Sequence, residues 1–157
     1  MRRNPYADDL GDRDPVISLR ETPEAIRAHA ERLGPAGTES TYAPGKWTLR
    51  QILIHLAQVE LVFQHRFRMA LTKGDYLVQP FDQNDFLAVD PTATAPQALA
   101  VYFGLRQFSL PAIERAASVQ SDRRFRHPEF GEISIQWLLE WAAGHERRHA
   151  GQIQRIE

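Results

Sequence analysis

Two histidines four residues apart, His145 and His149, carry the clearest chemical signal in the chain. On a helix this spacing stacks two imidazoles one turn apart, where both can reach a single ion. The segment around them, from Ser134 to Ile156, has helical period, with Ile135, Leu138, Ala142, Ile153 and Ile156 on one apolar stripe. The two histidines interrupt that stripe where another leucine or isoleucine would be expected. A pair of core imidazoles satisfied by hydrogen bonds would account for them as well. A third histidine, His55, lies on the border of a second stripe formed by Ile52, Leu56, Val59, Phe63 and Phe67. From there it can lean toward a neighbouring helix, or hydrogen-bond a backbone carbonyl. Three neutral imidazoles from two helices would form an open metal site, with room for water or substrate.

His145-Glu146-Arg147-Arg148-His149 also fits the H-E-x-x-H pattern of zinc proteases, in which the glutamate activates water. The context does not fit such an enzyme. Only Glu157 offers a downstream carboxylate side chain, Gln152 stands where the longer form of the motif has glycine, and no substrate-binding edge strand is expected. Glu146 is still a candidate catalytic group, near enough to the histidine face to reach activated water. A surface carboxylate paired with an arginine is the alternative. His29, His65 and His127 are expected to be solvated.

The chain has 157 residues and no cysteine, so a thiolate ligand, a cysteine nucleophile and a disulfide are all excluded. A content of 43% hydrophobic and 25% charged residues fits one globular domain spanning 1–157. The formal net charge of -1 gives no general attraction to nucleic acid or anionic membrane. Met1-Arg2-Arg3 has no apolar run behind it, and no stretch approaches the roughly 20 apolar residues of a membrane span. The expectation is a cytoplasmic protein.

Four helices must position the histidines. The spacing predicts the first over about Thr22 to Leu33, ended by Gly34-Pro35, and the second from the N-cap Thr48 to about Lys73. The third runs from near Pro96 to about Ala117, with Pro111 expected to kink it. The fourth starts at Ser134. No strand pattern is sustained. The linker between helices two and three is far longer than the few residues joining antiparallel neighbours, which implies a crossover along the bundle. Phe81 and Phe86 could pin it to the bundle surface. Arg123, Arg124 and Arg126 fall in a second long loop, where they could hold the carboxylates of a ligand.

Taken in order, several segments resemble the DinB/YfiT-like superfamily of four-helix metal-binding proteins. They are Pro44-Gly45-Lys46-Trp47-Thr48, His55-Leu56-Ala57-Gln58-Val59-Glu60, Pro80-Phe81-Asp82-Gln83, His127-Pro128-Glu129-Phe130-Gly131, and Gly144-His145 through His149-Ala150-Gly151-Gln152-Ile153. The resemblance implies an all-α, up-down-down-up four-helix bundle. It implies His55, His145 and His149 as ligands of one divalent ion, nickel or zinc. It also implies a homodimer formed through bundle faces, for which Ile54 and Leu61 are candidate contacts. Relatives include thiol-dependent transferases and metal-dependent hydrolases, so a small-molecule metalloenzyme is expected, with a low-molecular-weight thiol as cosubstrate if it is a transferase. The alternative is a non-catalytic module in which Glu146 or Glu60 closes the metal site.

Overall fold

The computed structural model describes residues 3–157. Its elements are α1 (Ala7–Leu10), α2 (Pro15–Leu33), α3 (Leu49–Thr72), α4 (Gln83–Val89), α5 (Ala95–Val119), β1 (Arg124–His127), β2 (Gly131–Ser134) and α6 (Ile135–Ile153), with a 3-10 turn at Pro35–Gly37. The long helices start where a side chain can satisfy their free amides. Thr48 and Thr94 form capping boxes with Gln51 and Gln97, and the Ser134 hydroxyl accepts from the Trp137 amide. α2 begins earlier than the pattern predicts. Asp14 caps it ahead of Pro15, and the Thr22 hydroxyl instead pairs with Ser18 inside the helix.

The four long helices form a bundle whose directions can be read from cross-helix contacts. Arg20 meets Glu114 and Arg27 covers Phe103, so α2 and α5 are antiparallel. Arg50 reaches Ala93, Glu60 meets Arg106 and Arg68 meets Ser109, so α3 and α5 are parallel. His55 faces His145 in an antiparallel α3–α6 pair, and His29 contacts the Ile156 carbonyl where α2 runs parallel to α6. The order is up-down-down-up.

Parallel α3 and α5 require a connection that travels the length of the bundle. It is tied down along its course. The Val78 amide donates to the Arg126 carbonyl, and Gln58 donates to the Phe86 carbonyl and to Asp90. Phe81 and Phe86 pack on each other, with ring centroids 4.6 Å apart.

Two expectations are corrected, for the arginine-rich loop and for Ile54. The arginine-rich loop contains an antiparallel hairpin, β1–β2, in which Phe125 pairs with Ile133. These two point into the core while Arg124, Arg126 and Glu132 stay outside, an alternation too short to stand out in sequence. α5 takes in Pro111 and runs unbroken from Ala95 to Val119, so the proline does not end the helix and the expected kink is not thereby excluded. Ile54 is buried at 3% exposure in the apolar cluster against which Leu87 and Ala93 of the crossover pack; of the two proposed contacts, only Leu61, at 53%, is exposed.

The core has two apolar clusters. One gathers Leu19, Phe63, Phe67, Leu138 and Leu139; the other Ile26, Ile52, Leu53, Tyr102 and Ile153. Between their levels on α3, α5 and α6 lies a band of buried polar side chains: His55, Glu60, Arg106, His145, Glu146 and His149. Buried ionic groups are often no more stabilising than apolar residues of similar size, so this band marks where a functional site is to be sought.

Candidate metal centre

α3 and α6 bring the three predicted histidines together. His55 Nε2 and His149 Nε2 each lie 3.1 Å from His145 Nε2. One potential ligand atom from each ring falls within 4.8 Å of the others, and among the described residues no carboxylate joins the cluster. Tetrahedral coordination with Zn–N bonds of about 2.0–2.1 Å separates ligand nitrogens by about 3.3 Å, so the spacing fits an ion with little movement.

The protonation states also fit. Burial lowers the His55 pKa to about 3, with the charge of His149 adding to the effect. Burial lowers that of His149 to about 4, and drives His145 well below the ordinary value. All three rings are therefore neutral at pH 7. The Gln152 side chain fixes the tautomer of His149. Its Oε1 accepts from Nδ1 at 2.7 Å, leaving a lone pair on Nε2. One proton on His145 Nε2 cannot serve two short contacts well, whereas a cation can accept three converging lone pairs.

Aromatic rings wall the cluster. Trp141 stacks on His145 at 5.2 Å and 4°, Tyr6 meets the same ring edge-on at 5.1 Å, and Trp47 packs 4.9 Å from His55. Tyr6 reaches this position because residue 144 is glycine. A Cβ there would collide with the Tyr6 backbone and lie 2.8 Å from the Tyr6 Cβ. On one side the cluster is open: His55 and His145 line a cavity of about 460 Å³ whose walls include Arg66, Phe81, Glu129 and Trp141.

Glu146, the candidate catalytic carboxylate, belongs to a different network. It accepts from the Tyr102 hydroxyl at 2.5 Å and from Arg106 Nη1 at 3.2 Å. Arg106 also binds Glu60 through Nη2 at 2.6 Å and donates to the Leu19 carbonyl at 2.8 Å. That carbonyl needs a donor from outside its helix, because Pro23 stands where the next turn would supply the amide. Burial raises the Glu146 pKa, with Arg106 and Tyr102 pulling it back down. A pocket of about 10 Å³, the size of one water, lies between this network and His145.

The loop arginines do not reach the large cavity. Arg123 Nε donates to the Ala70 carbonyl, Arg124 pairs with Glu132 at 3.4 Å, and Arg126 is exposed on β1. His65 is exposed and His29 is half-buried beside Arg32. His127 departs from the expectation of a solvated ring. It lines the cavity, packs on Phe130 and accepts backbone amides from Glu129 and Phe130 through Nδ1. Arg66 was not among the sequence candidates. The available signal was its position eleven residues after His55, which returns it to the same face of α3.

Comparison with known proteins agrees with the fold. A protein of Oceanobacillus iheyensis, named as a candidate metal-dependent hydrolase, is 28% identical over 147 residues, covering 88% of this chain and 84% of its own length. YfiT of Bacillus subtilis, named in the same way, is 25% identical over 143 residues, covering 87% and 80%. The solved structure of YfiT, described as having an unusual four-helix bundle topology, superposes with a TM-score of 0.80 at 22% identity, over 99% of this chain and 87% of YfiT. The family model of the DinB superfamily matches residues 18–153, and the chain belongs to that superfamily.

Proposed function

We propose that the chain is a small-molecule metalloenzyme in which His55, His145 and His149 hold one divalent ion, zinc or nickel. The observation that carries this reading is the opening of the histidine cluster into the 460 Å³ cavity, a size suited to a small-molecule ligand. A purely structural ion calls for a fourth side chain, and both carboxylates considered for that place are engaged by Arg106. Bound there, a divalent ion supplies Lewis acidity that activates water or a thiol toward an electrophile.

The chain's own residues do the positioning. Gln152 holds His149 with Nε2 toward the cluster, Trp141 and Tyr6 fix the His145 ring, and Trp47 covers His55. These aromatic walls cover much of the cluster beside the cavity, and the lower local polarity strengthens electrostatic interactions at the reacting end. The names of the relatives favour hydrolysis. Transfer chemistry would draw its thiol from a cosubstrate, since the chain has no cysteine. A homodimer fits this reading with Leu61 at its interface.

The test is a screen of ester and amide hydrolysis and of thiol transfer with zinc- and nickel-loaded protein, repeated after complete metal removal. Activity that appears with metal and disappears with chelation supports the proposal. Undiminished activity after removal contradicts it.

A further inference from the structure

Arg66 stands apart from the other charged groups of the core. It lies on α3 eleven residues beyond His55, and at 100° per residue it returns to within about 20° of the same helix face. His55, Val59 and Arg66 all line the large cavity. The side chain is only 7% exposed, yet among the described residues no carboxylate forms an ion pair with it. The contrast is Arg106, 2% exposed and held between Glu60 and Glu146.

Arg66 uses little of its donor capacity. Nη2 donates to the Gln79 carbonyl at 2.7 Å, and Nε is buried with no partner. Phe81 lies against the guanidinium, 5.5 Å from ring centre to Cζ. Two carboxylates line the same cavity without neutralising it. Asp82 accepts the Asn84 and Asp85 amides as the cap of α4, and Glu129 is exposed. A structural role in holding Gln79 would need one donor and no charge. A buried, unpaired cation on a cavity wall is unfavourable until an anion arrives, and the planar guanidinium fork matches carboxylate and phosphate oxygens.

We propose that Arg66 binds an anionic group, carboxylate or phosphate, on a substrate that extends along the cavity toward His55 and His145. The histidine end of this inference rests on the metalloenzyme reading; the anion site does not. Eleven residues of helix rise about 16 Å, and the side chains at both ends shorten that span. The substrate is thus elongated, with its anionic group on the order of 10 Å from the reacting atoms.

Chelator-stripped protein is titrated at pH 7 with hexanoate, hexyl phosphate and hexanamide, followed by calorimetry. At least one anion is expected to bind tenfold or more tightly than hexanamide, and Arg66→Gln is expected to abolish that preference. The stronger of the two anions identifies carboxylate or phosphate as the natural group. Arg66→Gln also leaves Gln79 without its donor, so a second measurement uses the unaltered protein. The Arg66 Nε–H resonance, identified by its loss in Arg66→Lys, is expected to shift on adding the tighter anion. Equal binding of anion and amide, an anion preference that survives Arg66→Gln, or an unmoved resonance overturns the proposal. If the protein shows the Arg66-dependent preference but binds no metal, the metalloenzyme reading fails while the anion site stands. If metal binds but no anion preference exists, the anion site fails alone.

Discussion

The Nδ1 of His149 donates to Gln152 Oε1 at 2.7 Å, and Gln152 Nε2 donates in turn to the Tyr42 hydroxyl at 3.2 Å. The amide cannot rotate without losing both bonds, so the lone pair of His149 Nε2 stays aimed at His145. Gln152→Leu frees the ring and its tautomer. Outer partners of metal-binding histidines are typically worth about 10–100-fold in affinity, and a loss of that size is expected here. Competition titration of zinc against a chromophoric chelator measures it.

Acid should destabilise the metal-free protein through the same histidines. Folded His55 and His149 have pKa values of about 3 and about 4, whereas an ordinary histidine titrates at 6.5. Between those values the unfolded chain binds more protons than the folded one, so stability falls as pH falls. The contribution is fully present above about pH 6.5 and lost progressively as pH falls, to about pH 4 for His149 and about pH 3 for His55. Urea midpoints at pH 7 and pH 5 should differ in that direction, and the difference should shrink in His55→Ala.

Gly144 tests how the N-terminal segment is held. Alanine there drives a Cβ into the Tyr6 backbone, and neither helix nor backbone can yield cheaply. Overpacking of this kind costs about 1–3 kcal/mol. Gly144→Ala is expected to lower the urea midpoint and to expose His145 by displacing Tyr6, read as increased Tyr6 accessibility to nitration.

The helices and the His145–His149 pair were largely legible in sequence because both follow from helical period, whereas His55 was drawn in mainly by the family resemblance. Capping residues Thr48 and Ser134 mark real helix starts, and Gly34 ends α2 with φ of +62°. The features that escaped depend on packing between elements. Ile54 is off the stripe of α3 but is buried in a cluster against which the crossover residues Leu87 and Ala93 pack, so burial there depends on how distant segments meet. Strands of four residues, β1 and β2, are too short for alternation to be distinguished from chance. Glu146 reads as a protease glutamate within its motif, yet Arg106, forty residues away, engages its carboxylate. Arg66 carries no local motif; its helical register with His55 is the one sequence signal, and its lack of an ion pair among the described residues shows only in the structure.

Glu146→Gln separates the motif reading from the observed network. The variant is expected to bind metal as tightly as the parent, because the carboxylate is held by Tyr102 and Arg106 and not by the histidine cluster. Loss of a charge-assisted buried bond should lower stability by about 1–3 kcal/mol. Arg106→Met, which strands two carboxylates, should be worse, at about 3–5 kcal/mol. Thermal melts and metal titration on the same samples check both.

Metal content of untagged protein tests the central claim most directly. After loading with zinc or nickel and removal of excess, elemental analysis is expected to give about one ion per chain, and close to none in His149→Ala or in the triple variant His55→Ala, His145→Ala, His149→Ala. A parent protein that retains no ion, or a triple variant that retains as much as the parent, would contradict the account.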